Sequence, residues 1–308
     1  MLSFTPRDLD QPIIKFDKAS KLRSLSFELH GEYPQPLQKL FLEILQYSPN
    51  LKELKVGGTW LNGTLALTQM NLLPISNLKK VSYVETKYPI SVGGKFERQL
   101  ETNIEFLKLF EVEVEKEELL QLLKFVAPNL KSLELQGCES FDAEAFQMII
   151  HSMNKLKALQ VSGNSKCSQD SFFTQSAFKN SSEMLNKFEN TRLKELDLGT
   201  CVHGLYILQL ESISRLTLWF PNLTKLSLTL GVGPLFKNEE METPTCHVTL
   251  ENAIVILSGL LKLEDLCVTI SERIEPAKLN DTLVRLGGFK SKSFNSRVFL
   301  KILIVSHL

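Results

Sequence analysis

Residues 128–138 read PNLKSLELQGC, and the six residues from Leu130 to Leu135 carry apolar side chains in the pattern L-x-x-L-x-L. With Ile, Val, Phe or Tyr accepted in place of Leu, the pattern occurs ten times. The copies begin at Leu22, Leu51, Leu78, Ile104, Leu130, Leu156, Leu193, Leu223, Leu263 and Leu300. Successive starts are 29, 27, 26, 26, 26, 37, 30, 40 and 37 residues apart, so the later copies carry insertions. A shared period of this length indicates a repeat architecture.

Each copy predicts a short strand followed by a helix. The fourth and sixth positions of the hexamer lie on one side of a strand, because side chains alternate between its two faces. Helical spacing follows at 37–47, 116–126 and 143–153, with Asp142 placed to cap the third helix. Proline in YSPN, VAPN and WFPN, which precede Leu51, Leu130 and Leu223, is expected to end the preceding helix.

The predicted fold is α/β, a leucine-rich-repeat solenoid. One strand-and-helix unit cannot cover its own apolar face, whereas stacked units can. We expect an open horseshoe with a parallel sheet on the concave face and helices on the convex face. Residues 1–21 are expected to form an N-terminal capping segment, and residues 22–308 a single domain of about ten repeats.

The position eight residues after the first leucine is predicted to be structural. It holds Cys138, Asn164 and Cys201, with Thr59 and Thr86 in earlier copies. In repeats of this kind a buried Asn or Cys bonds the backbone where the strand turns toward the helix. A buried thiol is an ordinary small core group, so we expect no redox or metal role for the two cysteines.

The segments PNLKELKV, PNLKSLELQGC and LKELDLGTC, with a period near 26, resemble the cysteine-containing repeats of F-box proteins and their relatives. The resemblance covers roughly residues 20–308. It implies that the repeats select a target protein for ubiquitination, while a separate F-box binds the Skp-family adaptor of a cullin-RING ligase. Residues 36–60 match an F-box only superficially, since Leu51, Leu54 and Val56 already belong to a repeat. The ligase connection would therefore need a missing or separately supplied F-box.

The candidate protein-binding surface is the concave strand face, formed by positions three, five and seven of each copy. Most copies have small or charged residues there, but the fourth has Phe106, Lys108 and Phe110. Exposed aromatic residues often dominate protein interfaces. The other candidates are Glu134, Gln136, Gln160 and Asp197. In an alternative register, which starts from Leu107, Phe110 would be buried while Lys108 and Leu109 would be exposed.

Position two is basic in seven copies, which predicts a column of charge along one edge of the sheet. The residues are Arg23, Lys52, Lys79, Lys131, Lys157, Lys194 and Lys301. Such a column could steer an acidic partner, although Glu53, Glu195 and Asp265 would partly neutralise it. Lysine stems also commonly do no more than cover apolar edges.

Three insertions and the last strand are further candidates for contact with a partner. The insertions are 165–190, 231–246 and 271–296, and long loops on a rigid scaffold often bind ligands. The first is predicted to contain a short helix carrying Phe172, Phe173 and Phe178. The apolar run VFLKILIV (298–305) needs a cap from residues 283–297, a partner or another segment.

Composition and motifs exclude several classes of function. Lys plus Arg (35) balance Asp plus Glu (35), so a nucleic acid or an anionic membrane is not the expected partner. No HExxH, GxSxG, Walker or GxGxxG pattern occurs, which favours a protein that is not an enzyme and needs no cofactor. The five cysteines are widely spaced and lack CxxC pairs, so free thiols in a reducing compartment are expected. With no secretory signal and no apolar run long enough for a membrane span, this predicts a cytoplasmic or nuclear chain.

Two other functions remain open. The first is a stand-alone regulatory or inhibitor-type repeat scaffold without a ligase, which alternating repeats of 28 and 29 residues would favour over the observed 26. The second is a repeat-type GTPase-activating protein, which would need an exposed arginine or asparagine. Arg23 is essentially the only arginine near the predicted binding face.

Overall fold

The computed structural model describes residues 21–28, 41, 43–57, 77–84, 103–162, 172–173, 189–199, 210–231, 250–271 and 299–305. The protein is α/β, and every described strand pair is parallel. Contacts divide the chain into two compact units. Unit 1 comprises residues 1–141 with 148–156, and unit 2 comprises residues 142–147 with 157–308. The predicted capping segment lies almost wholly outside the described residues and stays a prediction.

Unit 1 contains five strands that pair in chain order: β1 (Ser24–Glu28), β2 (Glu53–Gly57), β3 (Lys80–Val84), β4 (Phe106–Phe110) and β5 (Ser132–Gln136). Each begins two residues after the first apolar position of its copy, so the same pattern position starts every strand. Helix α1 (Lys116–Val126) follows β4 and has the predicted bounds. Helix α2 (Ala143–Ser152) follows β5.

Unit 2 repeats this arrangement with β6 (Ala158–Ser162), β7 (Glu195–Leu198), β8 (Lys225–Gly231), β9 (Asp265–Ser271) and β10 (Phe299–Val305). Helix α3 (Leu210–Trp219) precedes β8, and helix α4 (Leu250–Leu257) precedes β9. Both α1 and α3 end before the proline of the following turn, because proline cannot continue the backbone ladder. The predicted effect of VAPN and WFPN is confirmed.

Among the described side chains, those at the fourth and sixth positions of the strands lie in the core of each unit. In β4 and β5 these are Leu107, Leu109, Leu133 and Leu135, all 1% exposed or less. Helix α1 buries Leu119, Leu122, Leu123 and Val126, which recur at helical spacing. At the start of the chain, Phe27 of β1 packs on Phe41 with a ring separation of 4.5 Å. The alternation predicted from the hexamers is confirmed.

The backbone just before each strand fixes the pairing register. The carbonyl of position two accepts hydrogen bonds from the N–H groups of positions two and three in the next copy. Arg23 accepts in this way from Lys52 (2.8 Å) and Glu53 (3.0 Å), and Glu105 accepts from Lys131 (2.7 Å) and Ser132 (3.0 Å). The same pair of bonds recurs at this position in the other copies for which it is described, so it holds adjacent strands in one register.

The predicted register of the tenth copy is wrong. Leu300 was taken as position one, but it pairs with Leu266, which is position four of the ninth copy. The copy therefore begins three residues earlier, and an odd shift exchanges the two faces of a strand. Lys301 pairs with Cys267 and does not belong to the basic edge.

Two structural details missed by the sequence analysis support the turns. Asn77 donates from Nδ2 to the carbonyl of Pro49 (2.9 Å), and Asn129 Oδ1 accepts from Lys155 Nζ (2.6 Å). Asparagine precedes the first apolar position in four successive copies, so this regularity was available in the sequence. The predicted cap is confirmed, since Asp142 Oδ1 accepts from the N–H of Ala145 (3.0 Å) at the start of α2.

A residue with a left-handed backbone conformation follows each of the strands β4 and β5. The two residues lead to a prediction about stability. Glu111 has φ 51° and Gly137 has φ 67°. A Cβ at Gly137 would lie 3.0 Å from Cγ of Glu111, so Gly137→Ala is expected to lower the free energy of unfolding by about 1–2 kcal/mol. Glu111→Gly removes the same backbone cost and is expected to leave stability unchanged or raise it by up to about 1 kcal/mol. Urea unfolding of both variants checks this, and equal losses would contradict it.

Candidate functional site

The described part of β4 shows Phe106, Lys108 and Phe110 on one face, half-buried, while Leu107 and Leu109 are buried on the other. The alternative register is therefore wrong, because it would expose Leu109. The 26-residue spacing placed these side chains on the correct face. We use "strand face" for the face formed by positions three, five and seven.

An ion pair lies between the two aromatic rings. Lys108 and Glu134 are Cα partners on β4 and β5, and Lys108 Nζ is 2.8 Å from Glu134 Oε2. The side chains are only 34% and 26% exposed, so neighbouring groups shield the pair from water. Phe106 lies beside Ser132, and Phe110 beside Gln136. The structure thus brings together six strand-face residues of unit 1, and all but Ser132 were predicted to bind a partner.

The remaining predicted binding residues lie in unit 2. Gln160 of β6 and Asp197 of β7 are Cα partners, and both are half-buried. Gly199 has no side chain beside them: a Cβ there would lie 3.1 Å from Asp197 Oδ1 and 3.3 Å from Cβ of Ser162. Gly199 therefore leaves the space that the Asp197 carboxylate occupies. Gln160 and Asp197 form a polar patch, separate in character from the aromatic patch of unit 1.

Glu105 is the functional candidate that the sequence analysis missed. It occupies position two in the fourth copy, where the neighbouring copies have lysines. Its carboxylate accepts from Lys131 Nζ (2.7 Å) and Lys79 Nζ (3.1 Å). The spacing of 26 residues on either side places the three groups in one row, which was a readable signal. Two ammonium groups consequently share one carboxylate.

The other acidic residues of this edge form pairs between adjacent strands. Glu53 lies 3.1 Å from Lys80, and Glu195 lies 3.2 Å from Lys225. Both pairs involve position three of neighbouring copies. Glu53 and Glu195 were expected to neutralise part of the position-two column, but each pairs with a position-three lysine of the next copy.

The Glu105 cluster predicts a pH dependence. Hydrogen bonds from Lys131 and Lys79 hold the pKa of Glu105 below its usual value of 4.5. Because the folded-state pKa is the lower one, the stabilisation is complete above the unfolded pKa and is lost as the pH falls through the folded pKa. The free energy of unfolding is expected to fall more steeply below pH 4.5 in the wild type than in Glu105→Gln. Parallel curves in urea titrations at several pH values would contradict this.

Cys138 is the described residue among those predicted to bond the backbone at the turn after each strand. It is fully buried, and its Sγ lies 3.7 Å from the carbonyl of Leu109 and 3.8 Å from that of Gln136. Burial raises the pKa of the thiol to about 12, so it is protonated near neutral pH and is a poor nucleophile. Asn164 and Cys201 lie outside the described residues, as do Thr59 and Thr86.

Two residues of the first insertion, Phe172 and Phe173, belong to the core of unit 2. Phe172 and Phe173 are at most 1% exposed. Phe172 stacks on Phe146 of α2 at 4.7 Å, and Phe173 lies 5.5 Å from Trp219 of α3. The guanidinium of Arg215 donates to the carbonyl of Phe173. Phe178 and the other two insertions lie almost entirely outside the described residues.

Comparison with known proteins gives no family for the chain. No family model matches it, and no curated protein shows significant sequence similarity to it. None of the described helices is long and apolar enough to cross a lipid bilayer. Within the described ranges, no three His, Cys, Asp or Glu side chains come together as a potential metal site.

Proposed function

We propose that the chain is a leucine-rich-repeat protein that binds a partner protein on the strand face of unit 1. The observation that carries the proposal is the arrangement on β4 and β5, where Phe106 and Phe110 flank the Lys108–Glu134 pair on a solvent-accessible face. Aromatic side chains are enriched at the centres of protein interfaces, and a few of them often carry most of the binding energy.

The repeat type is supported by local regularities. Nine of the ten strands begin two residues after the first apolar position of their copy. Adjacent strands pair in parallel with a register set by the same pattern position in each described pair. Cys138 contacts backbone carbonyls at the turn after β5, which is the role that this repeat type gives to that position.

The rigidity of the strand face favours binding. Both ends of β4 are fixed by backbone hydrogen bonds, and its inner side chains are fully buried, so the Phe106 and Phe110 side chains project from an ordered support. A preorganised surface loses less conformational entropy when a partner binds.

The resemblance of the repeats to those of F-box proteins leads to a finer proposal. We infer that the bound protein is a target for ubiquitination and that a Skp-family adaptor and a cullin belong to the same assembly. No contact in the structure bears on this assembly, and its support is the repeat resemblance alone.

A tagged pulldown from native lysate, analysed by mass spectrometry, tests both levels of the proposal. Partners recovered with the wild type and lost with the double variant Phe106→Ser/Phe110→Ser would support binding at this face. Recovery of a Skp-family adaptor and a cullin would support the ligase role. Reproducible partners without them would make the chain a stand-alone binding scaffold. Recovery that is identical for both proteins would contradict the proposed face.

A further inference from the structure

Charge is distributed differently on the strands of the two units. Positions two, three, five and seven of β1–β5 hold seven basic residues against four acidic ones, a net charge of +3. The basic residues are Arg23, Lys52, Lys55, Lys79, Lys80, Lys108 and Lys131, and the acidic ones are Glu28, Glu53, Glu105 and Glu134. At the same positions of β6–β10 in unit 2, the numbers of basic and acidic residues are equal. The basic residues are Lys157, Lys194, Lys225 and Lys301, and the acidic ones are Glu195, Asp197, Glu264 and Asp265.

Among the described strand residues of unit 1, one carboxylate is shared by two lysines. Glu53 binds Lys80, and Glu134 binds Lys108, one to one. Glu105 is shared by Lys79 and Lys131, whose side chains remain 54% and 50% exposed. An ammonium group has three donors, so each of these lysines can accept a further carboxylate from another molecule.

The excess charge lies beside the aromatic patch. Glu105 immediately precedes Phe106 in the chain, so the row of Lys79, Glu105 and Lys131 lies at the beginning of the strand that carries the ring of Phe106. Phe106 and Phe110 are four residues apart on one strand, or about 13 Å at the rise of a β-strand. An extended peptide could therefore place an apolar side chain on this strand and its acidic residues on Lys79 and Lys131, which we call the lysine edge.

Strands β6–β9 of unit 2 lack this combination. They have no aromatic residue at positions three, five or seven, and with position two included they hold three basic residues against four acidic ones, a net charge of −1. The same repeat pattern therefore provides, for comparison, a polar surface without excess positive charge.

We propose that the strand face of unit 1 binds an acidic segment of the partner protein, with at least one apolar side chain that packs on Phe106 or Phe110. This inference rests on the proposed function and adds the chemistry of the partner. Charge complementarity of this kind mainly sets specificity and the rate of association.

The test is selection of a displayed random-peptide library on the full-length protein, followed by binding measurements with a synthetic peptide of the enriched sequence. We expect enriched peptides to combine Asp or Glu with Leu, Ile, Phe or Trp. Replacing their acidic residues by Asn or Gln is expected to weaken binding about five- to tenfold. Binding should also weaken as salt is raised.

Variants of the lysine edge provide matched controls. Lys79→Gln/Lys131→Gln should weaken binding of the peptide. Lys157→Gln/Lys194→Gln, at the same repeat position in unit 2, should leave the affinity unchanged. Glu105→Gln removes the competing carboxylate and should tighten binding about two- to fivefold. A gain of affinity cannot arise from misfolding, so this variant keeps the test decisive.

The outcomes separate this inference from the proposed function. Enrichment of basic or neutral peptides whose binding requires Phe106 and Phe110 would contradict the proposal of an acidic segment. It would still support the strand face of unit 1 as a protein-binding site. Lysine-dependent binding of oligothymidine in preference to every peptide would also contradict the proposal of an acidic segment. If no selected peptide depends on Phe106 or Phe110, both the inference and the proposed face are overturned.

Discussion

Replacement of Phe146 by alanine is expected to lower the free energy of unfolding by about 3–5 kcal/mol, the largest effect of a single substitution considered for this chain. Phe146 lies in α2, is fully buried, and stacks on Phe172 with ring planes 10° apart. It also meets Phe173 edge-on at 5.7 Å. Removing the ring would leave a cavity lined by rigid aromatic side chains, which collapse poorly.

The measurement is urea unfolding of the full chain, with Leu218→Ala as the matched control. Leu218 is also apolar and helical, but it is 67% exposed on α3, so its loss is expected to change stability by less than about 0.5 kcal/mol. A double-mutant cycle with Phe172→Ala should give a coupling of about 0.5–1.5 kcal/mol from the stacked pair. A loss below about 1 kcal/mol for Phe146→Ala would show that the first insertion does not complete this core.

The double variant Phe106→Ser/Phe110→Ser is expected to weaken binding of a partner recovered in the pulldown by at least about thirtyfold, which corresponds to roughly 2 kcal/mol. The rings are the main apolar groups on the strand face of unit 1, and the substitution leaves the Lys108–Glu134 pair without its apolar flanks. Because both rings are partly exposed in the free protein, the melting temperature should fall less than it does when the fully buried ring of Phe146 is removed.

Calorimetric titration with the purified partner and a thermal melt check the two parts of this prediction. Leu218→Ser/Leu261→Ser is the control, since it removes two apolar side chains that are 67% and 85% exposed in unit 2. It should leave affinity unchanged. Unaltered affinity in the phenylalanine variant, or a loss of stability as large as that of Phe146→Ala, would contradict a binding role for the two rings.

The main elements of the fold could be predicted because two periods act together. Alternation within each hexamer decides which side chains are buried, and the 26-residue spacing decides which copies have equivalent positions. For Phe106 and Phe110 the hexamer alone allowed two registers, and the repeat spacing selected the one that the structure has. The cap at Asp142 and the ends of α1 follow from local chemistry, which requires no tertiary contact.

Three features could not be predicted in this way. The run VFLKILIV is apolar at nearly every position, so it fits the repeat pattern in more than one register, and only pairing with β9 selects one. Phe172 and Phe173 lie in an insertion without a repeat partner, and their burial depends on Phe146 and Trp219, which are distant in sequence. The two bonds of Glu105 depend on how closely three strands approach.

The sequence by itself determined the ten strands, the face that each strand buries in nine copies, and the positions of helices α1 and α2. These follow from the period of apolar residues, because burying them is the dominant favourable contribution to folding. The tertiary structure alone decided which charges neutralise one another and where the aromatic side chains of the first insertion pack. Those interactions join residues from separate copies, and their strength depends on distances that no single stretch of sequence contains.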